Sequence, residues 1–239
     1  MLILEHVTKQ YPGSGKGIFD LSLHICPGDI YAFLGCNGAG KTTTLKAVAG
    51  IHSIDSGRIL IDGTDIREDP LACRRAMAYI PDNPDLYDYL TGVQYLQFAA
   101  DVYGVPTAER RQRISRYAEQ LEFSDGLGDL ISSYSHGMKQ KLALISAFVH
   151  QPRLLLLDEP FVGLDPVAAV TLRRMMQELC DQGSAIFYST HVLETAQKLG
   201  TKAAIINDGR ILLSGSMDQL LRSGHSLEDT FLEVTGHGK

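Results

Sequence analysis

Nine consecutive residues, Gly35-Cys36-Asn37-Gly38-Ala39-Gly40-Lys41-Thr42-Thr43, carry the most specific chemistry in the sequence. They fit a glycine, four intervening residues and then Gly-Lys-Thr, the spacing of a phosphate-binding loop. Glycines let the backbone curl so that successive N–H groups converge on an anion. A helix start directly after them adds the positive end of its dipole. Lys41 would neutralise β- and γ-phosphate charge, and the Thr42 hydroxyl would ligate Mg²⁺. A chance glycine-rich turn is the alternative. Against it stand the apolar residues 30–34, which suit a buried strand, and residues 43–49, which suit a helix start.

A second group follows a run of four leucines at 154–157, which leads straight into Asp158-Glu159-Pro160. Leucines without alternation describe a strand covered on both faces, as in a parallel sheet. The two carboxylates then emerge at its C-terminal end, where ligand sites of α/β proteins lie. Asp158 supplies the hard oxygen that Mg²⁺ needs opposite Thr42. Glu159, one residue on, can reach a water held in line with a phosphorus. His191 stands just past another buried strand, 184–189, and can donate to a phosphate as charge develops. A strand-end cap and an ordinary helix-start histidine are the plainer alternatives. Tyr11, in the turn Tyr11-Pro12-Gly13, is either a surface ring or a platform for an adenine base.

The elements that must position these groups read in order. Residues 2–7 alternate weakly, and 18–25 place Phe19, Leu21, Leu23 and Ile25 at strand period, as in a half-buried antiparallel pair. Further short strands are expected at 56–63 and 77–80, the latter ended by Pro81-Asp82-Asn83-Pro84. Residues 91–104 read as a helix with Val93, Leu96, Ala100 and Val102 inward, and Thr107 is placed to cap the next one. The arginines at 110, 111, 113 and 116 suit a solvated helix face. Ser135 is a good N-cap for a helix with Met138, Leu142, Ile145 and Val149 on one face. Gly163-Leu164-Asp165-Pro166 opens a helix through Leu179, strands close the sheet at 203–207 and 210–213, and 226–235 forms a docked helix. The expected fold is α/β, with an antiparallel layer before the nucleotide core and a helical piece at 84–150 that interrupts the alternation.

Composition bounds the rest. A chain of 239 residues suits one large α/β domain or one with a small appended lobe. Net charge of −6 gives no bias toward nucleic acid, and none is expected as a partner. No apolar run approaches the roughly 20 residues that span a bilayer, and the N-terminus lacks the layout of a secretory signal. Cys26, Cys36, Cys73 and Cys180 make no metal-ligand spacing, so free thiols are expected.

Taken together, the phosphate loop, the apolar strand with Asp158-Glu159, the Ser135-His136-Gly137-Met138-Lys139-Gln140 helix start, Gly163-Leu164-Asp165-Pro166 and the strand-end His191 resemble the ATP-binding subunits of ABC transporters over essentially the whole chain. The resemblance implies a P-loop NTPase core with a mostly parallel sheet, an N-terminal antiparallel β layer and an inserted helical subdomain at 84–150, the core being 1–83 and 151–239. It implies ATP and Mg²⁺ as cofactors. Tyr11 looks like the adenine-stacking aromatic and Gly35 to Thr43 like the Walker A loop. Asp158 looks like the carboxylate that holds Mg²⁺, Glu159 like the one that polarises water, and His191 like the switch histidine. Asp165 falls in what looks like the loop joining two subunits. Ser135, Gly137 and Gln140 fall on the Leu-Ser-Gly-Gly-Gln signature, which would address the opposing subunit's nucleotide.

Two positions depart from the family pattern. Asp82 stands where a Mg²⁺-sensing glutamine is usual, and His136 replaces the signature's first glycine. Asp82, together with the ending Leu227-Glu228-Asp229-Thr230-Phe231-Leu232-Glu233, resembles ABC-2 and Ecs-type bacterial exporters. The expectation is then an ATP-hydrolysing subunit, peripheral at the inner face of the cell membrane, that dimerises and drives a separate integral membrane subunit. A non-transport regulator of the same family is the alternative, and a small-molecule kinase would leave the Ser135 helix unexplained.

Overall fold

The computed structural model describes residues 1–221 and 226–236. Three strands, β1 (Leu2–Gln10), β2 (Gly17–Ile25) and β3 (Ile30–Leu34), lead into helix α1 (Lys41–Val48). Then come β4 (Ser56–Ile61), β5 (Thr64–Asp65), α2 (Pro70–Ala76) and β6 (Met77–Ile80). A helical stretch follows with α3 (Gly92–Val102), α4 (Thr107–Gln120) and α5 (His136–His150). The chain returns to the sheet through β7 (Leu154–Asp158), α6 (Pro166–Asp181), β8 (Ala185–Thr190) and α7 (Leu193–Leu199). It closes with β9 (Lys202–Asn207), β10 (Arg210–Ser216), α8 (Met217–Leu220) and α9 (Leu227–Thr235).

The strands form two sheets. A four-stranded antiparallel sheet has the order β2-β1-β4-β5, and a six-stranded sheet the order β10-β9-β3-β8-β7-β6. The second is parallel from β9 to β6, with β10 antiparallel at its edge. This is the expected α/β architecture. Its lack of alternation in β3 and β7 has a direct cause. Ala32, Leu155 and Leu157 face one core, under α5 and α6, while Phe33, Leu154 and Leu156 face a second core around α1 and the antiparallel sheet. Both faces are buried, so every position is apolar.

Several local expectations are corrected. The strand period of β2 breaks where Asp20 takes a left-handed backbone, φ 58°, and the register with β1 slips. Ile18 is therefore buried and Phe19 only half-buried. An inserted residue of this kind flips the facing of what precedes it. Val102 is 59 % exposed rather than inward, because it lies one turn after exposed Phe98, on the face opposite buried Leu96 and Ala100. Pro106, not Thr107, is the N-cap of α4, with no side-chain cap bond. Helix α2 is capped by the Asp69 carboxylate, which accepts from Ala72 N–H, with Pro70 at its first turn. That Asp-Pro signal was legible in the sequence.

Helices α3 and α4 both pack on α5. All four cysteines are free thiols. Among the described residues no helix is long and apolar enough to cross a membrane.

Candidate functional site

The loop between β3 and α1 is shaped by glycine. An added Cβ on Gly35 would lie 2.6 Å from the Ile206 carbonyl oxygen, so nothing larger fits beside β9. Gly40 is the N-cap of α1 with φ 111°, a conformation that a side chain would strain. Lys41 opens the helix and is 7 % exposed. Its Nζ donates to the carbonyls of Gly35 at 2.7 Å and Cys36 at 3.4 Å, so the ammonium lies inside the loop's curl.

A cavity of about 360 Å³ opens over this loop. It is lined by Tyr11, Cys36, Asn37, Gly38, Gly40, Lys41, Thr42, Thr43, Asp82, Asp158 and Glu159, and by Ser14, Lys16 and Gly17. Eleven of the residues singled out above thus meet in one place. Gly35 and Ala39 shape the loop from behind: Ala39 is 4 % exposed, and its N–H donates to Cys36 O at 3.1 Å.

The carboxylates arrive from β7. Asp158 is 2 % exposed and accepts a 2.5 Å hydrogen bond from the Ser189 hydroxyl. Ser189 sits directly across from it in the parallel register of β7 and β8. The same hydroxyl accepts from Glu159 N–H at 3.1 Å, so one serine orients both acidic positions. Glu159 turns the chain with a left-handed φ of 47°. Strain of this kind persists where the surroundings over-determine it. Glu159 bridges two bases: one oxygen lies 3.5 Å from Lys41 Nζ, the other 3.0 Å from His191 Nδ1. His191 lies outside the cavity lining, and its side chain is 53 % exposed.

Tyr79, on β6, has its hydroxyl buried without a hydrogen-bond partner. Burial, with the Asp158 and Asp82 carboxylates nearby, pushes the Tyr79 phenol up. At the far end of the cavity, Tyr11 Oη is 3.4 Å from Thr43 Oγ1, and its ring edge meets His52 at 5.9 Å between centroids. His52 was not legible as part of this corner from its sequence position.

The donor set fits Mg²⁺. Thr42, Asp158 and Asp82 offer hard oxygens in one cavity, and a cation of this class keeps phosphate oxygens and waters as its other ligands. Among the described residues no trio of His, Cys, Asp or Glu could hold a metal without such help.

Ser135, Gly137 and Asp165 lie apart from this cavity. They line a second hollow of about 320 Å³ with Met138, Lys141 and Gly163. Ser135 caps α5, accepting from Met138 N–H at 3.3 Å. Asp165 caps α6, accepting from Ala168 N–H at 2.8 Å, and pairs with Lys141 at 2.9 Å. These contacts, the Ala168 bond first, hold its carboxyl below the usual range. The His136 ring lies over Gly163, where an added Cβ would meet it at 2.5 Å. Gln140 is fully buried, with both amide atoms unpartnered, and does not line this hollow. Met138, two residues earlier, takes the place in the hollow.

Comparison with known proteins identifies the family. The family description "ABC transporter" matches residues 18–162. The chain is 32 % identical over 220 residues to the ABC-type transporter ATP-binding protein EcsA of Bacillus subtilis, covering 90 % of this chain and 89 % of EcsA. It is 35 % identical over 204 residues to an uncharacterized ABC transporter ATP-binding protein, all4389, of a Nostoc strain, covering 84 % of this chain. The match spans 60 % of that relative's length. A solved structure of an ATP-binding subunit of an ABC transporter superposes with a TM-score of 0.94 at 34 % identity, covering 98 % of this chain and 99 % of that one.

Proposed function

This chain belongs to the ABC transporter family of ATP-binding proteins, and we propose that it binds ATP with Mg²⁺, hydrolyses it, and drives a separate membrane subunit through dimer closure. The observation that carries the proposal is one cavity holding the Lys41 loop, Thr42, Asp158 and Glu159 together.

Each side chain has a task there. The N–H groups of the loop and the start of α1 would cradle phosphate oxygens. Lys41 would exchange its backbone carbonyls and Glu159 for phosphate charge. Thr42 and Asp158 would hold Mg²⁺, with Asp82 joining them directly or through water. When bound, the cation draws charge from the phosphate oxygens. Glu159 would orient a water and accept its proton, and His191, on the other carboxylate oxygen, would hold Glu159 in place and meet the γ-phosphate. Tyr11 would stack on the base.

The second hollow, with Ser135, Gly137 and Asp165, would face the nucleotide of a second ATP-binding subunit. A two-fold pairing of that kind places each hollow opposite a phosphate loop. The helical unit at 84–150 would receive the membrane subunit. Asp82 and the 227–233 sequence favour an exporter of the ABC-2 or Ecs type, with the chain at the inner face of the membrane.

Titration calorimetry with ATP and Mg²⁺ tests this. Binding by the wild-type chain, lost in Lys41→Ala, is expected. No affinity of the wild-type chain for adenine nucleotides, with or without a co-expressed membrane subunit, overturns the proposal.

A further inference from the structure

Tyr11, the ring proposed above to carry the base, stands on an exposed turn. The turn closes through Tyr11 N–H, which donates to Lys16 O at 2.9 Å. It contains Gly13 and Gly15, both with left-handed φ and with open space where a Cβ would stand. Glycines in such places leave the backbone free to take several shapes. A ring mounted on this turn keeps a fixed height over the phosphate loop only if another segment holds it. The stretch 50–55, between α1 and β4, does so.

Its near end is tied to the phosphate-loop helix. Ile51 and His52 N–H both donate to Lys46 O, at 2.9 and 3.2 Å. Its far end is strapped to the last residues of β1. Asp55 N–H donates to Thr8 O at 2.8 Å. The Asp55 carboxylate accepts from Gln10 N–H at 2.6 Å and from Lys9 Nζ at 3.3 Å. Between these anchors His52 lies against Tyr11, ring centroids 5.9 Å apart and planes at 89°. A perpendicular neighbour covers at most one face of the Tyr11 ring. Tyr11 lines the cavity and His52 does not, so His52 meets the ring from outside. Burial, then the Lys46 and Lys9 ammoniums, hold the His52 pKa below its ordinary value. The imidazole is neutral at neutral pH, and its contact with Tyr11 is one of ring on ring.

We propose that His52 is a positioning residue for nucleotide selection. Braced on α1 through Lys46 and on β1 through Asp55, it sets Tyr11 where a flat base stacks while the triphosphate lies in the 35–43 loop. The inference rests on the function proposed above and adds a residue outside the cavity that acts through Tyr11. Stacking tolerates any base, since every base has a π-face. What the brace selects is therefore a nucleoside triphosphate over a bare polyphosphate.

Calorimetric titration of the full chain with Mg²⁺–ATP and with Mg²⁺–tripolyphosphate, which has the phosphates and no base, tests it. His52→Ala should weaken ATP binding by about 3–10-fold, the range of one edge-on ring pair. Tripolyphosphate affinity should stay unchanged. Asp55→Ala should weaken ATP in the same selective way, and His52→Phe should restore ATP affinity. In a Tyr11→Ala background His52→Ala should cost nothing further, because both changes act through one ring. Unchanged ATP affinity in His52→Ala overturns the inference. So does an equal loss for tripolyphosphate from either alanine variant, a His52→Phe that fails to rescue, or a full further loss on top of Tyr11→Ala. The wild-type titration separates the two failures. No ATP binding by the wild type sinks the proposed function, whereas wild-type binding that His52→Ala leaves unaltered sinks only this inference.

Discussion

Glu159 Oε1 lies 3.5 Å from Lys41 Nζ, so the acid proposed to activate water is also a counter-ion of the ammonium proposed to meet phosphate. Both side chains are largely buried, at 13 % and 7 % exposure, where such pairing is weakly screened.

Glu159→Gln keeps the shape and removes the charge. Lys41 then meets phosphate without an internal competitor, so ATP affinity should hold or rise. Turnover should fall by about 10²–10⁴-fold, the usual worth of a positioned general base. Phosphate release and nucleotide titration check the two halves separately. Unchanged turnover would remove Glu159 from its assigned role.

Ser189→Ala leaves Asp158 and the Glu159 N–H without their shared hydroxyl. Loss of a group that orients a metal ligand commonly costs about 10–100-fold in metal affinity or activity. The apparent Mg²⁺ requirement for ATP hydrolysis should rise, and Ser189→Thr should restore part of it. A Mg²⁺ dependence identical to wild type would show that Ser189 only packs.

Phe187 is fully buried on β8, with Phe33 at 5.2 Å and Tyr31 at 5.9 Å between centroids. Phe187→Ala should cost about 3–5 kcal/mol, because the transfer energy of the ring and the cavity left behind add. The urea midpoint of unfolding measures it.

His150 stacks on Tyr103 at 3.9 Å and shares its Nε2 with the Arg75 carbonyl at 2.9 Å, while its Nδ1 is buried without a partner. Burial holds its pKa below the ordinary value. The folded state therefore favours the neutral ring, which donates from Nε2 to the carbonyl. Stability from this group is complete above the unfolded histidine value and is lost as pH falls through that value toward the folded one. The melting temperature should drop on going from neutral pH to about pH 5, and His150→Gln should flatten that part of the profile. A His150→Gln profile parallel to wild type would rule the histidine out as its source.

Much of the cavity could be read from local spacing, because the phosphate loop and the acids at the end of β7 are each contiguous in sequence. The second hollow could be read only in part. The resemblance to the signature singled out Gln140, which helix periodicity turns inward with Leu144, while Met138 lines the hollow. Ser189 could not be found from its own neighbours, since its meaning lies in the register Asp158↔Ser189. His52 and Lys141 likewise gain their partners only when distant segments fold together. The bulge at Asp20 breaks the alternation of β2 and carries no strong local signal.

Strand β6 lies at one edge of the large sheet and pairs in parallel with β7, Ile80 opposite Leu157. Asp158 is the last residue of β7, and Asp82 lies two residues past the end of β6, with the Tyr79 hydroxyl near both. A displacement of the Pro81-to-Pro84 turn, which carries Asp82 into the cavity lining, would move one wall of the proposed nucleotide site. On the proposed function, a partner pressing on the sheet's outermost strand would be felt in the cavity without a long route through the protein.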